Sequence, residues 1–231
     1  MRVALFVTCL VDTLVPSVGR ATVDLLERLG VEVSFPRAQT CCGQLHYNAG
    51  HPEAAASLAR RFVEVFADDE LIVSPSASCA AHVRTHVPEL AADVDGVCAR
   101  TLELSELLVD RLGATDVGSA YRGSLTYHPT CHSLRLLRVG ARPETLLGAV
   151  DGLELRALED ATECCGFGGT FAIRNGPVST AMLAAKLQRI EETGAEGVCA
   201  CDASCLLHLR GGIERRGDPL RAVHLAEVLA A

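Results

Sequence analysis

Cys9, the vicinal pair Cys41-Cys42 and Cys79 occur in the same order, and at nearly the same intervals, as Cys131, the pair Cys164-Cys165 and Cys205. Corresponding positions lie 122 to 126 residues apart, a constancy that marks an internal duplication. The repeat extends beyond sulfur: Gly43 or Gly166 follows each pair, and His82 or His208 stands three residues after each last cysteine. Four thiols in a set can bind a soft metal, hold an iron–sulfur cluster or exchange disulfides. Zinc usually takes CxxC knuckles, and neither half has one, because Ser76 and Asp202 stand three residues before Cys79 and Cys205. Iron–sulfur binding by the eight cysteines, one centre per module, is the leading expectation; zinc and thiol–disulfide chemistry remain open.

The other candidates have weaker patterns. Cys201 is spaced CxxxC from Cys205 and is a secondary candidate ligand, whereas Cys98 and Cys199 read as small buried hydrophobes. His82 and His208 lie one helical turn after a ligand cysteine, where an imidazole can donate a hydrogen bond to a cluster. His128 and His132 flank Cys131 and are the candidate catalytic residues, able to move a proton or contact a substrate carboxylate. Arg135 and Arg174 suit an anion but more often stay solvated or paired. The glycine run at 166–169 lacks GxGxxG and the distal acid of a dinucleotide fold, so neither NAD nor flavin is expected.

The elements that must position these thiols are read from periodicity. Strands are expected at 2–8, 31–35 and 71–74 and helices at 18–29, 52–66, onward from Cys79, and at 102–112. The second half repeats the order, with strands at 124–127, 153–158 and 197–201 and helices at 143–149, 178–193 and after Cys205. This alternation implies two duplicated α/β lobes, 1–118 and 119–231, each with a mainly parallel sheet flanked by helices. The carboxyl ends of parallel strands share one edge, so sequence-distant thiols can meet there. Adjacent cysteines on a regular strand would face opposite ways, so each pair needs an irregular turn, which Gly43 and Gly166 allow.

Bulk properties narrow the class. With 231 residues and 49% hydrophobic residues the chain can bury a sizeable core without disulfides. Its eleven cysteines are an odd number, and long Val/Leu/Ala patterns do not suit a secreted disulfide scaffold. A net charge of -8 argues against a nucleic-acid surface. The apolar run at 1–7 is too short for a signal peptide or membrane span, so a cytoplasmic protein is expected.

The duplicated Cys…Cys-Cys-Gly…Cys pattern resembles the cysteine-rich CCG domain family, which includes the cysteine-rich component of heterodisulfide reductase and iron–sulfur subunits of glycolate and anaerobic glycerol-3-phosphate oxidation. Residues 7–12, 40–44, 124–132, 163–171 and 202–206 resemble its lactate-utilisation branch, and that resemblance covers nearly the whole chain. It implies an electron-transfer component, with [4Fe–4S] clusters, of an oxidoreductase system converting L-lactate to pyruvate alongside partner iron–sulfur proteins. A small carboxylate or thiol substrate is implied too. Heterodisulfide-type chemistry at a cluster and a glycolate or glycerol-3-phosphate subunit are alternatives; a zinc-stabilised assembly scaffold is the reading from another class. In the heterodisulfide reductase relatives a fifth cysteine per module completes a noncubane cluster, and Ser76 and Asp202 stand at that position here.

Overall fold

The structure is a computed structural model and describes residues 1–92 and 96–231. The chain opens with β1 (Arg2–Leu5), α1 (Cys9–Leu14), α2 (Pro16–Arg28), β2 (Glu32–Ser34), α3 (Gln44–Asn48) and α4 (Pro52–Val65). β3 (Ile72–Ser74), α5 (Ala77–Thr85), α6 (Val87–Ala91), β4 (Thr101–Glu103) and α7 (Leu104–Glu106) complete the first half. Proline opens α2 and α4, where its missing N–H costs nothing. The buried positions of α2, Val18, Thr22, Leu25 and Leu26, recur at three- and four-residue spacing and turn one face to the sheet.

The second half repeats this order. β5 (Ala120–Tyr127) leads to a wide helical turn (Ser133–Leu137), α8 (Arg142–Gly148), β6 (Asp151–Arg156), α9 (Phe171–Arg174) and α10 (Gly176–Glu192). β7 (Gly197–Ala200), α11 (Ala203–Arg216), β8 (Arg221–His224) and α12 (Leu225–Ala230) follow. The sheets run β2-β1-β3-β4 and β6-β5-β7-β8, with every pairing parallel. Two α/β lobes with parallel sheets flanked by helices are thus present, as the alternating pattern implied. The fourth strands, β4 and β8, were not expected: three or four residues each, they precede capped turns and read in the sequence as parts of helices.

One face of each sheet carries its own apolar cluster, around Phe6, Phe62 and Phe66 in the first lobe and around Leu187, Ile190 and Leu209 in the second. The opposite faces share a single core in which Leu5, Leu104 and Leu108 join Leu125, Leu146 and Leu225. Polar links cross the same seam. The Arg28 guanidinium donates to the carbonyls of Leu229 and Ala230, and the Ala77 N–H donates to the Cys201 carbonyl.

Candidate metal centre

In each sheet the chain leaves the two middle strands in opposite directions, which opens a crevice at their carboxyl ends. Cys9 is the first residue of α1, just after β1, and Cys79 lies in the first turn of α5, just after β3. Cys41 and Cys42 arrive on the loop from β2 to α3. In the second lobe Cys131 follows β5, the pair Cys164-Cys165 precedes α9, and Cys205 lies in the first turn of α11. All eight thiols line one cavity at the seam between the lobes, with Ser76 and Asp202 beside them.

Within the first set, the Cys9 thiol donates to Cys41 Sγ at 3.5 Å and the Cys42 thiol to Cys79 Sγ at 3.3 Å. The irregular turns expected at the vicinal pairs are present: Gly43 has φ +92° and Gly166 φ +94°. They also turn their N–H groups onto Cys41 and Cys164 Sγ, each at 3.4 Å. Hydrogen bonds from Cys42 and Cys9 hold the Cys41 thiol far below its ordinary range, at about 2. Bonds from Cys131 and Cys165 do the same for Cys164, at about 2. The donating thiols of Cys9, Cys42, Cys131 and Cys165 are pushed up in return. The thiols of each set are thus linked in their titration, and the thiolate is the form that binds metal. Backbone N–H groups directed at sulfur are a feature of thiolate-held clusters.

Ser76 and Asp202 are helix caps. Ser76 Oγ accepts from the Cys79 N–H at 3.3 Å, and Asp202 Oδ1 accepts from the N–H and hydroxyl of Ser204 at 3.1 and 2.7 Å. Asp202 Oδ2 also takes the Ser78 N–H, at 2.7 Å, from the other lobe. Thr8, just before Cys9, is held at φ 75° and ψ 154°, a region that favours glycine. The loop carrying Gly168 and Gly169 closes the cavity against the opposite lobe: a Cβ on Gly169 would lie 2.7 Å from Leu45 Cδ2.

The histidines divide. His128 is fully buried, both its ring nitrogens lack a hydrogen-bond partner, and it offers a nitrogen within 4.8 Å of both Cys165 and Cys205 Sγ. Burial, reinforced by the Lys186 ammonium, lowers its pKa to about 4. His132 lines the cavity, where Gln44 Nε2 of the first lobe donates to its Nε2 at 2.9 Å. His82 is buried with both nitrogens unpartnered, edge-on to Tyr47, and burial lowers its pKa to about 4. His208 instead meets Ser179 Oγ at 3.3 Å and the Phe167 ring.

Cys201 does not line the cavity; it is buried in the shared core, where the Tyr127 hydroxyl donates to its Sγ at 3.3 Å. Cys98 and Cys199 are core residues. Arg135 reaches the Thr162 carbonyl and Arg174 is exposed at the end of α9. Sequence reasoning missed Gln44, Ser78 and the fully buried Glu103, none of which has a reactive pattern of its own. Among the described residues, no helix is long and apolar enough to cross a membrane.

The cysteine-rich domain (CCG) family matches the chain twice, at residues 3–84 and 125–210. "Lactate utilization protein A" of Geobacillus kaustophilus is 47% identical over 237 residues, covering 100% of this chain and 99% of that protein. The protein of the same name from Bacillus cytotoxicus is 46% identical over 235 residues, covering 99% of this chain and 98% of its own. A solved structure, a putative Asp/Glu racemase from Yersinia pestis, is 12% identical with a TM-score of 0.39, covering 100% of this chain and 96% of that chain.

Proposed function

The chain belongs to the cysteine-rich domain family, and from that premise we propose that it is an iron–sulfur electron-transfer component of a system that oxidises L-lactate to pyruvate. The observation that carries the iron–sulfur reading is the meeting of two four-thiol sets on one cavity. The donor chemistry supports it: each set has four thiols, a glycine N–H on the first sulfur of its pair, and a partly buried surround. Lactate as the substrate of the system rests on the name borne by the full-length relatives.

In this reading Cys9, Cys41, Cys42 and Cys79 hold one centre and Cys131, Cys164, Cys165 and Cys205 the other. When bound, each centre supplies one-electron redox chemistry. The protein's own residues fix the environment. The Gly43 and Gly166 N–H groups offset negative charge at sulfur, the caps at Ser76 and Asp202 fix the helices bearing Cys79 and Cys205, and the apolar walls limit water. His132 and Gln44 stand at the shared cavity, where a proton can be exchanged as electrons arrive. Partner iron–sulfur proteins would take or give electrons at this edge in the cytoplasm.

The test is genetic and biochemical together. A strain lacking the gene should lose growth on L-lactate and regain it with the native chain but not with Cys79→Ser or Cys205→Ser. Undiminished growth of the deletion strain on lactate overturns the lactate assignment. Turnover of a heterodisulfide with a reduced dye and no partner protein would replace electron transfer with direct chemistry at the centre.

A further inference from the structure

The duplicated frame allows position-by-position comparison of the two centres. The Phe6 N–H, one residue past β1, donates to the Val73 carbonyl of β3 at 2.8 Å, and the His128 N–H, one residue past β5, donates to the Cys199 carbonyl of β7 at 2.8 Å. Each residue lies three positions before the first cysteine of its set. Phe6 and His128 are therefore counterparts, and their side chains differ in kind. Phe6 packs in an aromatic cluster that also holds Cys42 and Cys79, with ring centroids 5.0 Å from Phe62 and 5.6 Å from Phe66, and offers no ligand atom. His128 stands against the sulfurs, with a ring nitrogen within 4.8 Å of both Cys165 and Cys205 Sγ.

A buried imidazole with two unpartnered nitrogens loses hydrogen bonds that water would have supplied; His82 shares that state but packs edge-on to Tyr47, whereas among the described residues only His128 brings a ring nitrogen within 4.8 Å of two thiols. A metal held by Cys165 and Cys205 would lie within reach of the nitrogen, and imidazole is a common ligand of the metals that thiolates take.

We infer that His128 is a nitrogen ligand of the second centre, so that the two modules hold chemically unlike centres: one ligated by sulfur alone, the other by sulfur and imidazole. This rests on the iron–sulfur reading proposed above. An imidazole beside the thiolates changes the ligand set at one iron, so the two centres have unlike reduction potentials. The duplication thus makes the Phe6 and His128 modules unequal electron sites.

The experiment uses the native chain, purified without oxygen and labelled with nitrogen-15 in histidine only. Iron and acid-labile sulfide are measured first. Their absence overturns the iron–sulfur reading, and the ligand assignment with it, before any spectrum is taken. With iron and sulfide present, pulsed EPR should show the strong coupling of a nitrogen bonded to iron in one of two centres. That coupling should vanish in His128→Phe, a side chain already accommodated at the corresponding place in the first module, and the midpoint potential of that centre should shift while the other stays unchanged. Thermal unfolding and the unchanged signal of the first centre establish that the variant is folded. Only weak nitrogen couplings in the native chain, or a strong coupling that persists in His128→Phe, would overturn the assignment while leaving the iron–sulfur reading intact.

Discussion

Asp202 Oδ2 accepts the Ser78 N–H at 2.7 Å across the seam between the lobes, while Oδ1 caps the helix that carries Cys205. One carboxylate thereby ties the amino termini of α5 and α11 together beside both thiol sets. Asp202→Ala leaves α11 uncapped and the Ser78 N–H buried without an acceptor, a loss of about 2–4 kcal/mol from a cap and a charged hydrogen bond together. Urea unfolding of the metal-free, reduced chain should show that loss. A change below about 0.5 kcal/mol, the scale of an ordinary surface substitution, would contradict the linkage.

The two turn glycines should respond unequally to alanine. At Gly166 a Cβ would meet the Ser179 carbonyl oxygen at 2.6 Å, whereas at Gly43 its nearest neighbour is the Ala55 oxygen at 3.3 Å. Both changes carry the penalty of positive φ, about 1–2 kcal/mol, and Gly166→Ala adds an overlap with backbone of about 1–3 kcal/mol. Metal analysis of Gly166→Ala should show loss of the second centre alone, with a smaller effect for Gly43→Ala on the first. Equal occupancy in the two variants would contradict this ordering.

Glu103 makes a pH-dependent contribution with a definite sign. It is fully buried, Oε2 accepts the N–H and hydroxyl of Ser105, Oε1 has no partner, and burial raises its pKa to about 7. The folded state therefore holds this proton more tightly than the unfolded state does. Its stability contribution is complete below the unfolded carboxyl value and is lost as pH rises through about 7, a change of about 3 kcal/mol. Glu103→Gln should show a flatter decline of unfolding free energy from about pH 4.5 to 7 than the native chain. Parallel curves would show that Glu103 is not the source. Glu106, the other nearby carboxylate, accepts from Arg84 Nη1 at both of its oxygens.

Cys201 and Cys205 separate a core thiol from a site thiol. Cys201→Ala removes a buried sulfur and the acceptor of the Tyr127 hydroxyl, and should cost about 1–3 kcal/mol with no loss of metal. Cys205→Ser should leave stability near native in the metal-free state and halve the metal content. Metal loss on replacing Cys201 would place it among the ligands.

The spacing of the cysteines made the duplication, the α/β lobes and the gathering of eight thiols along one cavity legible, because each thiol set is tied to strand ends that periodicity reveals. Gly43 and Gly166 were readable for the same reason: a useful vicinal pair needs a turn. β4 and β8 were not readable, since three or four residues have no period of their own and take strand form only by pairing with β3 and β7. Ser76 and Asp202 drew attention as replacements for cysteine, yet their role as caps depends on helix starts fixed by tertiary packing. His128 stood out beside Cys131 as a candidate catalytic residue; its approach to Cys165 and Cys205 comes from the fold, which brings the end of β5 beside the start of α11.

Iron, acid-labile sulfide and zinc measured together on chain purified without oxygen give the most direct test of the central claim that the two thiol sets hold iron–sulfur centres. The expected result is iron and sulfide in comparable amounts, little zinc, and half of the iron lost in each of Cys79→Ser and Cys205→Ser. Stoichiometric zinc without sulfide would contradict it and make the shared cavity a structural metal site.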